Sequence, residues 1–179
     1  MSHIGSPDQP GAARGTGPST TASYSAAEWR LLTRLPGRVI VAATSAGSDN
    51  PVRAVTEGLA GLDGIAAGRA FDSDLVRAVV AAIYAESDDG QSMPTRAADS
   101  DNGLADVLRS CRAAVEALAS RADPADSAAY RQWVQSVAAR VCRAAGTDGR
   151  PRPFGDPVGP AERRFLDRLG EALGLRAAG

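Results

Sequence analysis

The chain has no lysine, one histidine and two cysteines. Each scarcity removes a class of chemistry. The histidine, His3, stands in a run of small and polar residues at the N-terminus, so Ser-His-Asp and Cys-His catalysis lack their base. Cys111 and Cys142 have no Cys or His at ligand spacing, which excludes the common zinc patterns. There is no Walker A sequence, and no G-x-G-x-x-G follows a strand. Long apolar runs are also missing. The longest uncharged stretch beyond the N-terminal run, Val39 to Ser48, is about half a membrane span. The start of the chain lacks a basic-then-apolar signal pattern, and the expectation is a cytoplasmic protein with no membrane span. The formal net charge is −1, with arginines spread over every candidate helix. No basic patch gathers a polyanion, so no nucleic acid is expected as a partner.

What is present is helix signal. Residues 1–23 are rich in Gly, Pro, Ser, Thr and Ala and bury too little to offset ordering entropy, so they read as a disordered tail. A single helical domain is expected over 24–176. Ser25-Ala-Ala-Glu28 is a capping box that starts a helix near Ala26, and Pro36 is expected to end it. Val39 to Ala43 is β-branched enough for a strand, but no partner strand is evident, so a short buried helix over roughly 36–46 is expected. Asn50-Pro51 starts the next helix, with Val52, Val55, Leu59 and Leu62 as its apolar stripe. Gly58, Gly61, Gly64 and Gly68 weaken that helix; they either permit close packing or break it after Leu62.

Asp72 is expected to cap a helix carrying Leu75, Val76, Val79, Val80 and Ile83. A polar, acidic loop then runs from Glu86 to Asp101. Leu104, Val107, Leu108, Cys111, Val115 and Leu118 mark a helix over about 103–122. Asp123-Pro124 caps another, striped by Tyr130, Trp133, Val134, Val137 and Val141. The last helix runs from Pro160 to the Gly174 stop, with Phe165, Leu166, Leu169 and Leu173 packed. The fold class is therefore all-α: a compact single-domain bundle of about seven short helices, each with one apolar stripe. If the helices flanking Asp123 form a hairpin, the two cysteines lie about 10 Å apart along it, too far for a disulfide. Two reduced, mostly buried thiols are expected.

Three features stand out as candidate sites. Carboxylates of the acidic loop, Asp89 among them, offer oxygen ligands to a hard cation such as calcium or magnesium, or simply form a solvated loop. Asp148, before a glycine turn, and Glu162, in the first turn of the last helix, either share such a cation or serve as turn and helix-dipole residues. Phe154 is a large apolar residue in a polar loop, either a plug beneath that loop or an anchor for a protein partner. Tyr130, Trp133 and Phe165 read as core between the last two helices.

The segment A-A-Y-R-Q-W-V-Q-S-V-A-A-R-V-C-R-A-A, then F-G-D, then P-A-E-R-R-F-L-D-R-L-G-E-A-L-G resembles small uncharacterised helical bacterial proteins. More loosely it is similar to the tellurite-resistance TerB-like domains, and the likeness lies mainly over residues 124–174. A-I-Y-A-E-S-D-D-G, ending at Gly90, resembles a degenerate first copy of the same pattern. The resemblance implies an all-helical fold in a stress-associated setting, with Asp148 and Glu162 as an acidic pair and Asp89 in the other half. The loop here is longer than the family's, and no Glu follows Asp89-Gly90 at the corresponding place. With no catalytic constellation in view, the expected function is a non-enzymatic interaction or scaffold domain. The alternative is a divalent-cation-binding helical domain.

Overall fold

Ser25 and Glu28 close the capping box that the sequence spells. The Ser25 N–H donates to Glu28 Oε2 at 2.7 Å, and the Glu28 N–H donates to Ser25 Oγ at 3.2 Å. These bonds hold the Glu28 carboxyl below its usual range. The structure, a computed structural model, describes residues 23–47, 51–88, 100–144 and 158–175. They form six α-helices: α1 (Ala26–Gly47), α2 (Pro51–Ala67), α3 (Asp74–Asp88), α4 (Ser100–Arg121), α5 (Pro124–Ala144) and α6 (Pro160–Ala172). A 3-10 turn, Gly68–Ala70, follows α2, and there is no strand among the described residues. Of the expected tail, residues 1–23, all but Ser23 lie outside them.

α1 is the central helix and packs against each of the other five. It runs straight through Pro36, so the two short helices expected on either side of that proline are one, and the count is six rather than seven. Pro36 has no N–H to give to the carbonyl four residues back, that of Leu32. The Tyr130 hydroxyl, from α5, donates to that carbonyl at 2.8 Å. A tertiary hydrogen bond thus fills the gap that would otherwise favour a break. Leu32, Leu35, Val39 and Ala43 on either side of the proline are buried, and Val39 to Ala43 is helix.

The remaining ends follow local chemistry with small shifts. Ser73, rather than Asp72, caps α3: its Oγ accepts from the Val76 N–H at 3.2 Å and donates to Asp126 Oδ1 at 2.5 Å, tying α3 to the first turn of α5. The expected acidic loop is shorter than its sequence suggests, because Glu86 to Asp88 complete α3 and Ser100 begins α4. Asp123 Oδ1 accepts from the Ala125 N–H at 2.8 Å and starts α5. α6 ends in a Schellman turn, with Leu175 N–H to Gly170 O and Gly174 N–H to Glu171 O; Gly174 adopts φ +64°.

One core joins the six helices. Tyr130 and Trp133 are fully buried and Phe165 is 2 % exposed. The two α5 aromatics bond toward α1 and α2 rather than toward α6, Trp133 Nε1 donating to Gly64 O at 3.1 Å. Cys111 and Cys142 are both unpaired thiols, buried as expected, and burial pushes each up to about 12.

Candidate functional site: the outward face of α2

α2 sits on the bundle with its apolar stripe facing out. Val52, Val55, Leu59 and Leu62 are 75, 64, 59 and 55 % exposed, although their spacing marks them as a core face. The buried residues of α2 are Glu57, Gly61, Gly64 and Ile65. The expectation that the stripe packs inward is therefore corrected, and two features of the opposite face account for the inversion.

The first is glycine. A Cβ on Gly64 would stand 3.2 Å from the Val137 Cα, and one on Gly68 would stand 2.7 Å from Trp133 Nε1. At Gly68 only hydrogen fits, and at Gly64 a methyl would push the α5 backbone away by a few tenths of an ångström, so α2 and its following turn lie close against α5. That approach lets the indole reach the Gly64 carbonyl. It also resolves the choice left by the sequence: Gly61, Gly64 and Gly68 serve close packing, Gly58 faces open space, and the helix continues past Leu62 to Ala67.

The second is a buried charge cluster. Arg53 Nε donates to Glu57 Oε1 at 2.7 Å, and Arg53 Nη2 donates to Glu162 Oε1 at 2.9 Å. Glu57 is 1 % and Glu162 6 % exposed. One guanidinium therefore serves two buried carboxylates and links the first turn of α2 to the first turn of α6. Charges withdrawn from water need such pairing. The cluster fixes which side of α2 faces the body, since turning the helix over would separate Arg53 and Glu57 from Glu162.

Of the candidate site residues Asp89, Asp148, Phe154 and Glu162, Glu162 is the one among the described residues. It lies in the first turn of α6, beside the helix N-terminus, with its carboxylate bonded to Arg53. Its other oxygen folds back over Gly159, where a Cβ would lie within van der Waals radius of it. Asp89, Asp148 and Phe154 lie outside the described residues. Among the described residues, no group of three or more His, Cys, Asp or Glu side chains is placed to hold a metal ion. No described helix is long and apolar enough to cross a membrane.

Sequence reasoning missed Arg53 and Glu57, and it missed the outward turn of the stripe. A signal was present. Arg53 and Glu57 stand at i,i+4, and Gly61, Gly64 and Gly68 repeat at helical spacing on the side of the helix opposite the stripe. Comparison of the chain with family models, with curated proteins and with solved structures finds no match.

Proposed function

We propose that this chain is a non-enzymatic helical interaction domain, a scaffold element that docks a partner through the outward face of α2. The observation that carries this reading is the stripe Val52, Val55, Leu59 and Leu62, held in water on a helix whose other face is locked to the bundle. Each of these side chains forgoes on the order of 1–2 kcal/mol of burial. Scattered exposed apolar residues need no explanation, but a contiguous stripe on one helix is the form that helix-in-groove and helix-pair recognition take. The likeness to TerB-like domains adds a stress-associated setting to the reading. In the cation-binding alternative, Glu162 is already bonded to Arg53.

The test exploits the buried thiols. Leu59→Cys places an accessible thiol on the stripe while Cys111 and Cys142 stay buried. A photo-crosslinking maleimide attached there is expected to yield a defined adduct in native lysate or with the purified protein. The same label on Arg112→Cys, on the exposed side of α4, is expected to yield none. Equal labelling from both positions, or no adduct from Leu59→Cys, removes the α2 face as a docking surface.

A further inference from the structure

We propose that the occupant of this face is a second copy of the chain, the two α2 helices meeting antiparallel across a two-fold axis; this rests on the reading of α2 as a docking face. The exposed residues repeat as 52, 55, 59 and 62, the 3-4-3 spacing of a coiled-coil seam. An antiparallel register sets Val52 against the second copy's Leu62 and Val55 against its Leu59. Every layer then pairs one valine with one leucine, so the helices keep a constant separation. A parallel pair stacks valine on valine and leucine on leucine and brings the two Asp63 carboxylates side by side.

Charge favours the same arrangement. In the antiparallel pair Asp63 lies beside the first turn of the second copy's α2. That turn holds no acidic residue of its own and presents the positive end of the helix dipole. Near the axis the seam is flanked by Thr56 and Gly58. A Cβ on Gly58 would meet nothing within 4 Å, so this side of the helix is open to a close neighbour.

The chain's own residues outside the described segments supply no equivalent cover. Their large apolar side chains are Met1, Ile4, Met93 and Phe154, at most two in any one segment. Four are needed, spread over about 15 Å of helix. A second copy brings four in register. A stripe of this kind is comparable to the largest apolar patch of an ordinary monomer, about 300–600 Å². Two of them bury about 600–1,200 Å², the low end of specific interfaces, so the dimer is reversible.

Sedimentation of the full chain tests this directly. The weight-average mass is expected to rise from one chain toward two between about 10 µM and 1 mM protein, the range of a small, weak interface. Leu59→Asp and Val55→Asp, each at an exposed site, are expected to remain monomeric across that range with an unchanged circular dichroism spectrum and thermal midpoint. For the register, Val52→Cys and Leu62→Cys are oxidised separately and mixed. Antiparallel packing gives a disulfide-linked dimer in the mixture and little in either variant alone. A wild-type chain that stays monomeric at 1 mM overturns the proposal. So does a dimer that the aspartate variants leave intact, or one in which the single variants link to themselves. Crosslinking from Leu59→Cys to another protein without any self-adduct overturns the second copy while leaving the docking face standing. No adduct of either kind removes both.

Discussion

The Tyr130 hydroxyl donates to the Leu32 carbonyl at 2.8 Å, the oxygen that Pro36 cannot serve. Deleting the hydroxyl by Tyr130→Phe leaves a buried acceptor in the middle of α1 without its donor, at an expected cost of about 1–3 kcal/mol. The partner substitution gives this a sharper form. Pro36→Ala restores a backbone N–H four residues beyond Leu32, so the tyrosine bond becomes redundant. Urea denaturation of the four chains of a double-mutant cycle is expected to show Tyr130→Phe costing less in the Pro36→Ala background, with a coupling of about 0.5–3 kcal/mol. Additive costs would show that the hydroxyl does not substitute for the missing backbone bond.

Two glycine substitutions of the same size are expected to have opposite signs. Gly68→Ala drives a methyl to within 2.7 Å of Trp133 Nε1. The indole is buried and bonded to Gly64, so relief requires α2 and α5 to separate. Loss of about 1–3 kcal/mol is expected. Gly37→Ala, in the middle of α1, meets nothing within 4 Å. It gains helix propensity and is expected to stabilise by up to about 1 kcal/mol. Thermal midpoints of the two variants decide the matter.

Arg53→Ala removes the positive charge shared by two buried carboxylates and is expected to destabilise by about 3–5 kcal/mol. Replacing the whole cluster, with Arg53→Met, Glu57→Leu and Glu162→Leu together, avoids burying uncompensated charge and is expected to recover most of that loss. Chemical denaturation of the single and triple variants distinguishes a cluster that orients α2 from one that carries much of its stability.

Alkali is expected to weaken the fold. Burial raises the Cys111 and Cys142 thiols from 9.0 to about 12 and lifts the Tyr130 phenol well above 10.0. The unfolded chain releases these protons first. The folded state therefore binds more of them between the two values, and stability falls as pH rises. The contribution of the thiols is complete below about pH 9 and is lost as pH climbs toward 12. Because the chain has no lysine, no side-chain amines titrate in that window. Urea midpoints from pH 8 to 10.5 are expected to decline, and Cys111→Ala/Cys142→Ala is expected to flatten the decline.

The ends of helices were legible in the sequence because caps are local. Ser25 with Glu28, Asp123 before Pro124, and Gly174 each act within a few residues of themselves, and all three appear as read. The stripes of α3 to α6 were legible because their apolar residues do face the core. Pro36 misled because the donor that rescues Leu32 comes from a residue 98 positions away. α2 misled for a related reason. Its periodicity gives the existence and phase of a stripe, but not whether the stripe points inward. That choice is made by Trp133, Val137 and Glu162, all remote in sequence. For the candidate site, Glu162 was visible as a first-turn carboxylate, whereas Arg53, which engages it, was not.

The inversion of α2 also bears on how the chain is made. Synthesis delivers α1 and α2 together, and Ile40 is at hand to meet Gly61 as soon as both helices exist. The other groups that orient α2 have no mates at that moment. Trp133, which spans Gly64 and Gly68, emerges 69 residues after Gly64, and Glu162 emerges 109 residues after Arg53. Until then the greasy side of α2 is its strongest sticking surface, and hydrophobic collapse alone would seat the helix the wrong way up. The contacts that orient α2 are therefore complete only once the last third of the chain has been made, and in that interval its apolar stripe has most to gain from being shielded.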